Sequence, residues 1–401
     1  MFSPLVKSSN QNTSTQSQLL GVAVVGTGFG QKVHIPGFKA YPQTQVVAVY
    51  HRELEKAKAI ASSYNIPHAC DTIDDILALP EVQAVSISTP PFLHYEMAKQ
   101  VLQAGKHLLL EKPTTLTAQE ARELYYLAKQ RRVIATLDFE YRFVPAWQRL
   151  AELLSEDYVG KKRLIKIDWL VSSRADASRP WNWYSRKDRG GGALGALGSH
   201  AFDYISWLFG SVKRLNAQLS TSIPMRLDPA SGETKPVNAD DTCMIMLELA
   251  DGTPCQVCIS AAVYAPRTHG VEIYGDRGTL VLASNNQKDY IHGFHLWGSP
   301  AGQAQAELEI PMRLNFGKTY TDGRIAAFIR VVDHWVQAID KGEATAPSLR
   351  EGVYSQLLMD LSHTSHQQRS WVDVPQLETF LAGWIITTIS IFYHDILLSL
   401  T

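Results

Sequence analysis

A lysine, a histidine and a spaced set of glycines are the residues of this chain best suited to chemistry. Lys112 stands in Glu111-Lys112-Pro113, where an ammonium can hydrogen-bond a substrate oxygen and stabilise negative charge that develops there. The Lys112–Pro113 bond is a candidate for the cis form, which is accessible mainly before proline. His200 ends the glycine-rich run GGGALGALGSH over residues 190–200. Glycines release the backbone for a crowded loop, and an imidazole presented beyond them can exchange a proton near neutrality, so His200 reads as catalytic rather than structural. Asp203, three residues on, is within reach of His200 or of a neighbouring element. Gly26-Thr27-Gly28-Phe29-Gly30 allows a tight turn and close approach of a pyrophosphate to the backbone. The usual third glycine would fall at position 31, which is Gln31, so Gly30 comes one step early. His51 and Arg52 end the next apolar run, where an NAD-specific site places a carboxylate. A guanidinium there suits a 2′-phosphate, which favours NADP over NAD. Trp181, Trp183 and Tyr184 suit a sugar ring, with a core role as the alternative. The set describes hydride transfer between a nicotinamide dinucleotide and a small hydroxylated molecule, with His200 taking the hydroxyl proton and Lys112 holding the alkoxide.

These residues need elements to position them. Apolar runs over 20–25, 46–50, 84–88, 107–110 and 133–137 alternate with helical stretches over 54–64, 94–104 and 118–131. Strands alternating with helices predict a doubly wound parallel sheet of α/β type, with ligands at the carboxyl ends of its strands. The glycine turn and Lys112 both follow such strands. After a linking helix over 147–154 the character changes to long β-type runs over 163–172, 212–221, 241–249, 253–263 and 269–282, then helices over 325–339 and 349–369. That pattern predicts a second, α+β domain with a large, mainly antiparallel sheet.

The chain has 401 residues, with 38 Lys plus Arg against 39 Asp plus Glu. The length calls for two domains, and the balanced charge excludes the basic field that nucleic acid requires. Four cysteines are too few for a disulfide framework and point to the cytoplasm. Cys255 and Cys258 form C-x-x-C on a strand, where that spacing puts the thiols on opposite faces, so no metal site is expected. Residues 1–18 read as a disordered arm, 19–140 as the dinucleotide-binding domain, 141–375 as the substrate and oligomerisation domain, and 376–401 as an apolar extension. The extension is marginal in length for a membrane span and is expected to dock on the protein itself or on a partner subunit.

In this order and spacing, GTGFG with His34, Thr89-Pro90-Pro91 before His94, Glu111-Lys112-Pro113, Arg142-Phe143 with Pro145, and GGGALGALGSH with Asp203 resemble the glucose-fructose oxidoreductase and inositol dehydrogenase family, Gfo/Idh/MocA. The resemblance runs from about residue 20 to 375. It implies a Rossmann domain followed by a domain whose open sheet forms homo-oligomers, and NAD(P)-dependent oxidation or reduction of a sugar or cyclitol. It also implies cofactor contacts from the glycine turn, His51, Arg52, Thr89, Pro90, His94, Glu111, Lys112 and Arg142. Substrate contacts would come from Lys112, Trp181, Trp183, Tyr184 and His200. Many family members carry an Asp four residues before the histidine, and that position here is Ala196. The departure motivates a second reading, a dinucleotide-sensing protein without catalysis. The apolar extension has no counterpart in the resemblance.

Overall fold

The computed structural model describes residues 19–264, 269–284, 286 and 293–383. The expected arm over 1–18 and the extension beyond 383 lie outside the described residues.

The first sheet comprises β1 (Leu20–Val25), β2 (Thr44–Tyr50), β3 (His68–Cys70), β4 (Ala84–Ile87), β5 (His107–Leu110) and β6 (Ala135–Leu137). They lie side by side in the order β3-β2-β1-β4-β5-β6, all parallel. The order reverses between β1 and β4, which leaves a crevice beyond their carboxyl ends. Helices α1 (Ile35–Ala40), α2 (Leu54–Tyr64), α3 (Ile73–Ala78), α4 (His94–Gln103) and α5 (Ala118–Arg131) connect the strands. Most strand positions are buried because helices cover both faces, which is why the strands read as continuous apolar runs rather than alternating ones. At the start of α5, Thr117 and Glu120 form a reciprocal capping box that satisfies two otherwise unpaired amides.

Helix α6 (Pro145–Ser155) leads into the second domain, and α7 (Ser199–Phe209) packs beneath its sheet. That sheet runs β16-β15-β14-β13-β7-β12-β11-β8-β17. Its principal strands are β7 (Lys162–Leu170), β8 (Val212–Ser220), β11 (Thr242–Leu249), β12 (Pro254–Ser260), β13 (His269–Gly275), β14 (Gly278–Ser284) and β15 (Phe294–Pro300). Two-residue edge strands β16 (Ala306–Glu307) and β17 (Val372–Asp373) close it, while β9 (Met225–Leu227) and β10 (Thr234–Pro236) form a separate hairpin. Pairing is antiparallel except between β7 and β12. The run expected as one strand over 269–282 is a hairpin, because the chain turns at Asp276 and Arg277. Cys255 is buried and Cys258 half-exposed, on opposite faces as their spacing requires, and both are free thiols.

Two long helices tie the domains together. Helix α8 (Arg324–Lys341) returns to the first domain, where Phe328 and Trp335 join the core of β1 and β2. Helix α9 (Leu349–Gln368) lies against α5, α7 and β8. Residues 377–383 form a helical turn docked on α5: Leu381 is buried, Arg122 donates to the Phe380 carbonyl at 2.6 Å, and Tyr126 donates to that of Leu381 at 3.0 Å. The described start of the extension therefore packs on the chain itself. No helix among the described residues is long and apolar enough to cross a membrane.

Candidate active site

A cleft of about 740 Å³ opens at the carboxyl ends of β1, β4 and β5 and is closed on its far side by the second domain. That volume lies within the range of small-molecule and cofactor sites.

The glycine turn forms one end. Gly26 has φ +109°, a left-handed backbone, and a Cβ there would stand 2.7 Å from the Ser88 carbonyl carbon. Gly28 faces open space, with nothing within 4 Å of where a Cβ would sit. Gly30 packs against Ser88 Oγ and Val24. Gly30 therefore does the close-packing work of the third fingerprint glycine from one position earlier. The helical run after it begins as a π-turn, Gly30–His34, before α1. Tyr50, His51 and Arg52 line the cleft beside this turn, with the Arg52 side chain 84% exposed. Thr89 and Pro90 line it beyond β4.

The loop after β5 delivers Glu111 and Lys112, with the Lys112–Pro113 bond in the cis form. Lys112 Nζ lies in the cleft and donates to the Ala196 carbonyl at 3.2 Å. Position 196, where the family resemblance implies a carboxylate, thus offers its main-chain oxygen. Glu111 turns down into the protein and accepts from His34 Nε2 at 3.1 Å, while His34 Nδ1 meets Ser86 Oγ at 2.8 Å. Asp138 lies 3.5 Å from the same His34 nitrogen. Burial alone would lower the His34 pKa, but its contacts with Asp138 and Glu111 outweigh burial and raise it to about 9. Ligand atoms of His34, Glu111 and Asp138 all lie within 4.8 Å of one another. A protonated imidazole at their centre serves as the cation of that cluster, and both its nitrogens are engaged.

Two buried carboxyls beyond β6 complete this wall. Burial first, then the neighbouring negative charge, raises Asp138 to about 7 and Glu140 to about 8. Both line the cleft, as does Arg324 from the start of α8.

The facing wall comes from the second domain. Leu194–Gly198 is a second π-turn, continued by α7, and it carries His200 into the cleft. Pi-turns inside helices recur at functional sites. His200 is 4% exposed, and its Nδ1 has no hydrogen-bond partner among the described residues. Burial, with the charge of Lys112 beside it, drives its pKa well below the usual 6.5. The expectation of an imidazole titrating near neutrality is therefore corrected: His200 is neutral there.

Several sequence-predicted residues lie elsewhere. His94 is wholly buried, with Nδ1 2.9 Å from the Pro113 carbonyl and Nε2 2.8 Å from that of Thr89. It braces two cleft loops from behind and does not line the cleft. Arg142 grips Asp203 with a two-pronged contact, Nη2–Oδ1 2.7 Å and Nε–Oδ2 2.9 Å, and lines a different cavity between α7 and α9. This fork pairing removes Arg142 from the cofactor contacts and Asp203 from partnership with His200. Of the three aromatics only Trp183 lines the cleft. Trp181 donates to the Pro236 carbonyl at 3.0 Å, and Tyr184 lies under the Arg174 guanidinium, 3.9 Å from ring centre. Asp138, Glu140 and Arg324 were not anticipated. The first two follow a strand just as Lys112 does, a usable signal, whereas nothing in the sequence marks Arg324.

Open space at Gly28 and the cleft-lining positions of Lys112 and His200 fit a dinucleotide laid along the glycine turn with its reacting end between those two residues. Comparison with known proteins gives the family. Residues 20–139 match the oxidoreductase family with an NAD-binding Rossmann fold, and residues 151–374 match the C-terminal alpha/beta domain of the same family. The chain belongs to this Gfo/Idh/MocA oxidoreductase family. An uncharacterised oxidoreductase of Synechocystis is 54% identical over 369 residues, covering 92% of this chain and 100% of the relative. Levoglucosan dehydrogenase of Pseudarthrobacter phenanthrenivorans is 27% identical, covering 90% and 99%. A solved structure of levoglucosan dehydrogenase with NADH and L-sorbose superposes with a TM-score of 0.79 at 25% identity, covering 90% of this chain and 100% of that one.

Proposed function

We propose that this protein transfers a hydride between a nicotinamide dinucleotide and a secondary alcohol or ketone of a sugar, cyclitol or related compound. The observation that carries the reading is the convergence of Lys112 and His200, from two different domains, at the end of the cleft that the glycine turn begins. Levoglucosan dehydrogenase, which superposes along its whole length, supports a carbohydrate substrate. A bound nicotinamide supplies the hydride donor or acceptor. Gly26, Thr27, Gly28, Phe29, Thr89 and Pro90 hold its dinucleotide. Lys112 donates to the substrate oxygen and stabilises negative charge there as the carbon changes oxidation state. Neutral His200, which lines the cleft, holds the substrate hydroxyl, and Trp183 offers a flat apolar face to the ring.

For the dinucleotide we propose NADP in preference to NAD. Arg52 lines the cleft at the end of β2 with its side chain exposed and its Nε 3.9 Å from the Glu53 carboxylate, and among the described residues no carboxylate next to it lines the cleft. NAD is the competing reading, because levoglucosan dehydrogenase was solved with NADH. Purified protein should carry or bind one of the two, identified by mass spectrometry, and should change nicotinamide absorbance with at least one member of a panel of aldoses, ketoses, anhydrosugars and cyclitols. Arg52→Ala should weaken NADP by about tenfold or more, the worth of one charge-assisted phosphate contact, and leave NAD unchanged. Tighter wild-type binding of NAD would overturn the preference. Dinucleotide binding without conversion of any candidate would favour the sensing alternative that Ala196 motivates.

A further inference from the structure

Reversible reduction of a ketone requires a group that supplies a proton to the substrate oxygen and takes it back in oxidation. His200 is poorly placed for this, being buried against the positive charge of Lys112. Position 196, where the family resemblance implies a carboxylate, is an alanine. On the opposite wall, however, β5 and β6 run parallel in register, Leu110 beside Leu137, so the residues that follow them emerge side by side. Lys112 comes from one and Glu140 from the other, and both line the cleft together with Ala196 and His200.

We propose that Glu140 is the proton store of the reaction, acting through Lys112 and replacing, from the dinucleotide-binding domain, the carboxyl that position 196 lacks. This rests on the oxidoreductase reading above. In reduction, the carbonyl carbon gains a hydride from the reduced dinucleotide while an N–H bond of Lys112 breaks and an O–H bond forms on the substrate. The Glu140 carboxyl then gives its proton to the Lys112 amine and is left as carboxylate. Oxidation runs the same transfers backwards. Charge balances because one proton leaves Glu140 for each alcohol formed, and solvent restores it between turnovers.

The surroundings of Glu140 suit a group that holds a proton at neutral pH. Glu140 is 5% exposed. The charged and titratable groups around Glu140 are Glu111 and Lys112 after β5, Asp138 after β6, His200 from α7 and Arg324 from α8, all lining the cleft, with His34 buried behind Glu111 and Asp138. Burial, then Asp138 and Glu111, push the Glu140 carboxyl up, while Lys112 and Arg324 pull it down by less, leaving it at about 8. A carboxyl raised in this way is protonated and ready to donate below pH 8, and is a base above it. Reduction should therefore slow, and oxidation quicken, as pH rises through about 8.

The test is Glu140→Gln, with Glu140→Asp beside it. In Glu140→Gln the reductive kcat should fall by about a hundredfold and lose its decline through pH 8, with dinucleotide affinity kept within a few-fold. Glu140→Asp should retain a titrating limb. Infrared difference spectra of the dinucleotide-free protein, taken across pH 7 to 9, should show, besides the Asp138 band centred near pH 7, a carboxyl C=O band centred near pH 8 in the wild type that is missing in Glu140→Gln. This second readout needs no substrate, so it stands even if no sugar is converted and the oxidoreductase reading fails. A Glu140→Gln protein with the wild-type rate and pH limb, or one that retains the carboxyl band centred near pH 8, would overturn the assignment. If Glu140→Gln does not fold, loss of the limb in a folded Glu140→Asp would equally overturn it.

Discussion

On the dinucleotide side of the cleft, Glu111, Lys112, Asp138 and Glu140 follow two neighbouring strands, with His34 and Arg324 beside them. Across from them, the second domain presents Gly190, Ala196, Trp183 and a single imidazole kept neutral by burial and by Lys112. Ionisable groups are thus concentrated on the wall that also binds the dinucleotide, where a parallel sheet fixes their spacing. The opposite wall supplies shape, one flat ring and one uncharged hydrogen-bonding group. An acid missing from position 196 is then a loss on the wall that carries little charge, and it leaves the charged wall intact.

The sharpest way to separate the walls is at the glycine turn. Gly28→Val should fold as the wild type does, because the added side chain enters open space, yet it should lose dinucleotide binding by a hundredfold or more as that space fills. Gly26→Ala should do the reverse. Its left-handed backbone and the Ser88 contact should cost on the order of 2 kcal/mol of stability, read as a lowered Tm. A Gly28→Val protein with normal affinity would remove the turn from the site. A smaller effect is expected opposite. His200→Ala should reduce turnover by about a hundredfold, through lost orientation of the substrate, while keeping the same pH dependence between 7 and 9. The sign follows from a folded pKa driven well below 6.5 by burial and Lys112, so that imidazole gains no proton in that window. Disappearance of the limb in His200→Ala would move charge handling to the second wall and break the comparison.

Much of the first wall was legible in the sequence. Periodic apolar runs marked β1 and β5, and the rule that ligands gather at strand carboxyl ends placed Gly28 and Lys112. The same rule applied to the run ending at Leu137 would have found Asp138 and Glu140. Arg324 carried no such signal, because it reaches the cleft only through the return of α8 to the first domain. Motif position identified the loops of His94 and Arg142 but not the direction of their side chains. That direction is set by partners distant in sequence, the carbonyl of Pro113 for one and the carboxylate of Asp203 for the other. The pKa of His200 was illegible for a similar reason, since burial is a property of the assembled cleft.

In the proposed reaction Lys112 acts on the reacting oxygen from the charged wall and is no part of dinucleotide binding. The most direct test is a paired measurement on Lys112→Ala: dinucleotide affinity by fluorescence titration, and kcat on whichever sugar the wild type converts. Lys112 follows β5, two strands away from β1 and its glycine turn, and meets the Ala196 carbonyl. Kd should therefore stay within a few-fold of wild type while kcat falls by about three orders of magnitude. Unchanged kcat, or a loss of turnover matched by an equal loss of dinucleotide affinity, would contradict this role.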